Sequence, residues 1–215
     1  MTGIIKTKKL VQNSNEFRSL KTQSTSNEPA IILVSGLPRS GTSMMMQMLE
    51  SGGIELIVDH IRKSDEDNPK GYYEFEKIKQ LERDYSWIEN ACGKAVKVIS
   101  MLLYQLPMEK KYKIIFMTRK MDEVLASQNK MLKRRGQPAD SVDDQVMTEK
   151  FNKHLKKIFN WLNKQKNMET IFISYNDVIA NPMEQSKNIN RFLGNMLKIE
   201  KMVNVVDNFL YRQRK

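Results

Sequence analysis

Ile31-Ile32-Leu33-Val34-Ser35-Gly36-Leu37-Pro38-Arg39-Ser40-Gly41-Thr42-Ser43 is the stretch that decides the fold. An apolar, β-branched run ends in a glycine-bounded loop, and a helical pattern begins at Met44 and runs to Leu49. Strand, loop and helix start in that order build a phosphate cradle, in which loop N–H groups and the positive end of the helix face one anion. The spacing Gly36, Gly41, Ser43 fits the phosphate-loop pattern with one departure. Thr42 stands where a nucleotide triphosphatase carries lysine, and the nearby cation is Arg39, inside the loop. The segment Pro38, Arg39, Ser40, Gly41, Thr42 and Ser43 is therefore expected to hold a phosphate. It lacks the lysine that reaches β- and γ-phosphates.

Outward from this loop, strand-like runs occur at Ala30–Ser35, Lys94–Ile99, Lys113–Thr118 and Thr170–Ser174. Helical patterns lie between them at Met44–Glu50, Phe75–Ile88, Asp122–Arg134 and Ser141–Asn167, with Ser141 as an N-cap of the last. Pro182 opens a further helix and Gly194 closes it. Continuous apolar strands alternating with helices predict an α/β fold of three layers, P-loop-like, with a mostly parallel central sheet of about four to five strands flanked by helices. Residues 1–28 are rich in Lys, Ser, Thr, Asn and Gln and read as a polar arm. Residues 29–215 read as one domain.

Composition narrows the function classes. The net charge is +11, which suits an anionic ligand, although a lysine-rich solvated surface would produce the same number. No nucleic-acid-binding motif accompanies the charge, so nucleic acid is not an expected partner. No apolar run is long enough to span a membrane. Cys92 is the single cysteine, which fits a reducing cytoplasm. Met44, Met45, Met46 and Met48 read as a helix packed on the sheet. His154 reads as a surface residue of a long amphipathic helix.

A second motif specifies the ligand further. The strand Ile114–Thr118 ends in Arg119, and Ser127 follows eight residues later in the next helix. Arg119 leaves the sheet at its carboxyl edge, where ligands bind in open α/β folds. A forked guanidinium there suits a second, separate phosphate. Two anion sites at two strand ends suggest a nucleoside 3′,5′-bisphosphate.

On these residues the chain resembles the sulfotransferases that use 3′-phosphoadenylyl sulfate (PAPS). Gly36–Ser43 is similar to their 5′-phosphosulfate loop, and Arg119 with Ser127 to their 3′-phosphate motif. Asn68-Pro69-Lys70-Gly71-Tyr72-Tyr73-Glu74 resembles a segment of the small bacterial-type members. Tyr175–Pro182 followed by Arg191–Gly194 resembles the family's late strand-to-helix passage. The resemblance implies transfer of a sulfuryl group from PAPS to a hydroxyl or amine, with adenosine 3′,5′-bisphosphate (PAP) as product and no metal required. It implies that Arg39 replaces the loop lysine, that amides of Ser40 to Ser43 hold the 5′-phosphate, and that Tyr175 approaches the adenine.

The chain departs from the family in places. Met44 stands where relatives often carry tryptophan. The Lys-Thr-His run of the cytosolic enzymes survives only as Lys97, with Ile99 at the position of the histidine base. Glu74 and Glu76 are the first candidate bases and His60 the next. The late Arg-Lys-Gly segment is absent, and Arg212–Lys215 or Arg134 with Arg135 are its candidate substitutes. Two other functions compete. A phosphate-loop small-molecule kinase wants lysine at position 42 and an acidic strand end. A non-catalytic relative would bind the nucleotide or another anion without turnover. Asp59, Arg62, Lys63, Asp65, Glu66 and Asp67 make the segment from Gly53 to Tyr73 polar, which leans toward a carbohydrate or other polar acceptor. The small size leaves room for a partner subunit, as in a homo-oligomer, or for a carrier-bound acceptor.

Overall fold

The computed structural model describes residues 28–66, 68–137 and 143–207. The arm up to residue 27, Ser141 and Arg212–Lys215 lie outside the described residues. Four strands form one sheet: β1 (Ile31–Gly36), β2 (Ala95–Lys97), β3 (Tyr112–Thr118) and β4 (Met168–Ser174). All pair in parallel, in the order β2-β1-β3-β4. Every carboxyl end therefore points to the same edge. The chain turns one way from β1 to reach β2 and the other way to reach β3, so the crevice of this sheet lies beside β1 and β3, where open α/β sheets bind ligands. The free side of β2 is stitched to the preceding loop, with Ala95 N donating to the Glu55 carbonyl at 2.9 Å and Ile57 N to the Ala95 carbonyl at 2.8 Å.

Helix α1 (Thr42–Gly52) follows β1, α2 (Met121–Arg134) follows β3, and α3 (Asp144–Leu162) precedes β4. The described residues after β4 form α4 (Tyr175–Ala180), α5 (Pro182–Leu193) and α6 (Ile199–Val203). Both faces of the sheet are covered, and all six residues of β1 are buried. On one face Ile32, Val34, Ile115 and Met117 pack with Met45, Met46, Met48 and Leu49 of α1 and Ile189 of α5. On the other, Ile31, Leu33, Ile114 and Phe116 pack with Ile158 and Leu162 of α3. The alternation of side chains along each strand accounts for the two cores.

Two helical expectations are corrected. The pattern at Phe75–Ile88 forms two 3₁₀ turns, Glu76–Gln80 and Ser86–Asn90. Carboxylates divert the backbone: Glu76 N donates to Asp59 Oδ2 at 2.5 Å and Ser86 N to Asp84 Oδ1 at 2.9 Å, offering local partners that compete with an α-helix. The helix expected over Ser141–Asn167 begins at Asp144, because the Asp143 side chain caps it by accepting from Gln145 N at 2.6 Å. Its expected surface residue His154 is half-buried and hydrogen-bonded to Ser100 Oγ at 2.8 Å.

Gly36 is where β1 becomes the loop. Its φ is +149°, and a Cβ there would lie 2.6 Å from the Met117 carbonyl oxygen and 2.5 Å from Ser40 Oγ. Gly36→Ala is expected to destabilise the fold by about 2 kcal/mol or more, read as a lower urea midpoint. An unmoved midpoint would show that β1 and β3 do not need this close approach.

Candidate active site

The loop between β1 and α1 is held from inside. Ser40 is buried, with its hydroxyl donating to the Leu37 carbonyl at 2.7 Å and its amide to the same carbonyl at 3.2 Å. The amide of Ser40, expected to face a phosphate, is therefore turned into the loop's own turn. The helix begins with Met45 N bonded to the Gly41 carbonyl, so the first-turn amides that follow Gly41 point out of its N-terminus. Gly41 (φ +98°) lies against the Tyr175 ring, and a Cβ there would sit 2.4 Å from Tyr175 Cδ2. Arg39 adopts φ 68°, in the left-handed region, and its Nε donates to Ser127 Oγ at 2.9 Å.

Arg119 stands beside it at the end of β3. Its Nη1 donates to the Arg39 carbonyl at 3.2 Å, and its guanidinium lies 4.4 Å from the centre of the Tyr175 ring. Its Nε donates to Glu123 Oε2 at 2.9 Å. Both side chains are buried, Glu123 completely. The other Glu123 oxygen accepts from Asn176 Nδ2 at 2.9 Å. Arg39, Arg119, Ser127 and Tyr175 thus converge from four separate elements. Pro38, Arg39, Gly41, Thr42, Ser43, Arg119, Ser127 and Tyr175 line one cleft of about 480 Å³. Lys130, Arg134 and Arg135 extend its cationic wall along α2.

The sulfotransferase-domain family profile matches residues 29–215. The chain belongs to the sulfotransferase family. As a sulfotransferase it is an enzyme that moves a sulfuryl group to an acceptor, and the kinase and non-catalytic readings fall away. No curated protein matches the sequence. Solved structures resemble the chain as follows. The sulfotransferase domain from the curacin biosynthetic pathway superposes with TM-score 0.49 at 16% identity, over 87% of this chain and 88% of that one. Mouse sulfotransferase SULT7A1 complexed with PAP gives 0.45 at 20% identity, over 84% and 63%. The sulfotransferase domain of the Synechococcus PCC 7002 olefin synthase gives 0.46 at 14% identity, over 91% and 88%.

On the β2 side of the loop this sulfotransferase places a different set of groups. Lys97, at the end of β2, donates to the Tyr72 carbonyl and to Ser43 Oγ at 3.4 Å, and lies 3.8 Å from Glu74 Oε1. Ser43 Oγ also accepts from Asn68 Nδ2 at 2.9 Å and donates to the Tyr72 carbonyl at 3.2 Å. The Asn68–Glu74 segment is thereby clamped to the start of α1. Glu74 bonds Arg62 Nη1 at 2.8 Å. Lys97 and Glu74 line the cleft together, whereas Glu76 and His60 do not. Glu76 pairs with Lys79 at 2.6 Å, and His60 is exposed.

Sequence reasoning gave Glu123 no role, and met Asn176, Asn68 and Arg62 only inside longer segments, without their partners. The spacing of four between Arg119 and Glu123 on a helix start was a signal for the first. Nothing local signals the other three.

Burial holds the Lys97 ammonium down to about 8 from its ordinary 10.5, against the raising effect of Glu74. Below about pH 8 folded and unfolded chains both keep this proton, and the fold carries the full desolvation cost. Between about pH 8 and 10.5 the unfolded chain binds more protons, so this group's contribution to stability rises with pH. Wild type is expected to gain on Lys97→Met across that window in urea unfolding. A pH-independent difference would show that Lys97 is not desolvated.

Proposed function

We propose that the cleft binds PAPS with its 3′-phosphate at Arg119 and Ser127 and its phosphosulfate at the loop Pro38–Ser43. The observation that carries this reading is the joining of the two cationic subsites: the Arg39–Ser127 bond of 2.9 Å and the Arg119–Arg39 carbonyl bond of 3.2 Å bring the ends of β1 and β3 together. A guanidinium braced at Nε is held in a fixed orientation, and its planar charge suits a phosphate dianion. Tyr175, buried against Gly41 and Arg119, backs the wall that the adenine approaches.

When bound, PAPS supplies an activated sulfuryl group on a bridging phosphate oxygen. A bond forms from the acceptor oxygen or nitrogen to sulfur, the bridging S–O bond breaks, and its electron pair leaves with the bisphosphate. Arg39 and the α1 amides stabilise charge on the departing oxygen. Lys97 adds a cation from the β2 side, and Glu74 takes the acceptor proton. Arg134 and Arg135 support the far end of the donor. No described helix is long and apolar enough to cross a membrane. The single Cys92 supports a cytoplasmic setting.

Calorimetric titration with PAP, adenosine 5′-monophosphate and Mg-ATP tests the donor. PAP is expected to bind best, independently of Mg²⁺. Arg119→Lys is expected to narrow the preference for PAP over the monophosphate about tenfold to thirtyfold, since a forked contact becomes a point charge. Equal losses for both ligands would remove Arg119 from the 3′-phosphate site. Among the candidate bases, Glu74→Gln is expected to lower turnover about 10²-fold or more with PAP affinity kept. Glu76→Gln and His60→Gln should leave both near wild type. Full turnover in Glu74→Gln would move the base elsewhere.

A further inference from the structure

Helix α3 carries charge that the cleft does not use. From Lys150 to Lys166 the chain holds six lysines, Lys150, Lys153, Lys156, Lys157, Lys164 and Lys166, and no acid. The acids of the helix, Asp144 and Glu149, stand before this stretch. Six charges against a net +11 are thus gathered on one element and the turn after it. Steps of three, four and seven residues carry Lys150, Lys153, Lys157 and Lys164 along one stripe. All are exposed, because the apolar side of α3 is occupied against the sheet through Ile158 and Leu162. Among the described residues no carboxylate pairs with these four.

The neighbour of this stripe sets it apart from an ordinary solvated lysine face. The 3₁₀ turn Ser100–Gln105 and the residues after it run alongside α3. Ser100 Oγ meets His154 Nε2 at 2.8 Å, the Tyr104 and Trp161 ring centres are 4.8 Å apart, and Asn167 Nδ2 donates to the Lys110 carbonyl at 2.9 Å. His154 follows Lys153, and Trp161 comes one helix turn after Lys157, so this flank borders the stripe. It exposes large apolar side chains: Met101 at 66%, Tyr104 at 44% and Met108 at 51%.

A soluble polyanion would answer the lysines and leave those side chains in water. An anionic bilayer answers both. Lysines meet the charged headgroups, Met101 and Met108 enter between them, and the Tyr104–Trp161 pair lies at the boundary, where rings with one polar edge are favoured. We infer that α3 and the flanking turn are a docking face for the surface of an anionic membrane. Leu102 of the same turn lines the cleft, so docking here sets the cleft close to the bilayer. The inference stands apart from the donor reading.

The full chain is sedimented with vesicles of phosphatidylcholine alone and of phosphatidylcholine mixed with phosphatidylserine. Binding is expected to the mixed vesicles only, and to weaken as salt is raised. Lys153→Ala and Lys157→Ala should each weaken it about fivefold. Met101→Ser should weaken it about threefold or more at unchanged charge. Lys187→Ala, an exposed change on α5 across the sheet, should bind as wild type. Matching urea midpoints show that all four variants are folded. Failure to bind the mixed vesicles would overturn the inference. An equal loss in Lys187→Ala would do so by showing that net charge alone attracts the membrane, and full binding by Met101→Ser by removing what singles out a bilayer. Tighter binding to a DNA duplex or to polyglutamate, lost with the same lysines, would overturn it in favour of a soluble polyanion.

Discussion

A carboxylate with no access to water has to be paired, and Glu123 is the one around which this site is organised. It is completely buried and receives Arg119 on one oxygen and Asn176 on the other. Removing either partner from such a pair strands a charge in a medium that cannot solvate it. The requirement fixes Arg119 at Nε, and that in turn sets its Nη1 against the Arg39 carbonyl and its plane over Tyr175. The left-handed Arg39 is then directed to Ser127. One buried charge thereby joins the strand ends of β1 and β3, the helix α2 and the start of α4.

Strand order divides the work of the cleft. With β1 central, the loop that follows it has β3 on one flank and β2 on the other. The β3 flank carries forked cations and a flat ring. The β2 flank carries a desolvated lysine and a carboxylate. Neither flank overlaps the other in sequence, and both meet at the N-terminus of α1, the positive end of its dipole. The clamp from Asn68 through Ser43 to Lys97 ties the second flank to the same helix turn.

Much of this was legible in the chain, for reasons that are local. The glycines and hydroxyls of Gly36–Ser43 act through backbone geometry within a few residues, and the parallel sheet follows from uninterrupted apolar runs separated by helices. Arg119 and Ser127 were legible because a strand end and about two helix turns fix their relation. The burial of Glu123 was not, since it depends on Asn176, which comes from a separate strand-to-helix junction. The segment Phe75–Ile88 carried helical spacing, but Asp59 and Asp84 redirect its amides, and Asp59 lies outside the window that periodicity reads. The partners of the charged loop were not legible either. Residue types show that Arg62, Asp65 and Glu66 are polar, but only their partners show that the loop itself uses them.

The methionines add a chemical consequence of this packing. Met45, Met46 and Met48 are fully buried in α1, while Met101, in the 3₁₀ turn Ser100–Gln105 after β2, is 66% exposed. Conversion of a thioether to a sulfoxide follows access, and it turns an apolar side chain into a polar one. Mild peroxide would therefore reach Met101 while the thioethers of α1 stay reduced. Oxidation of this enzyme would mark its surface before it loosens the packing of α1 on the sheet.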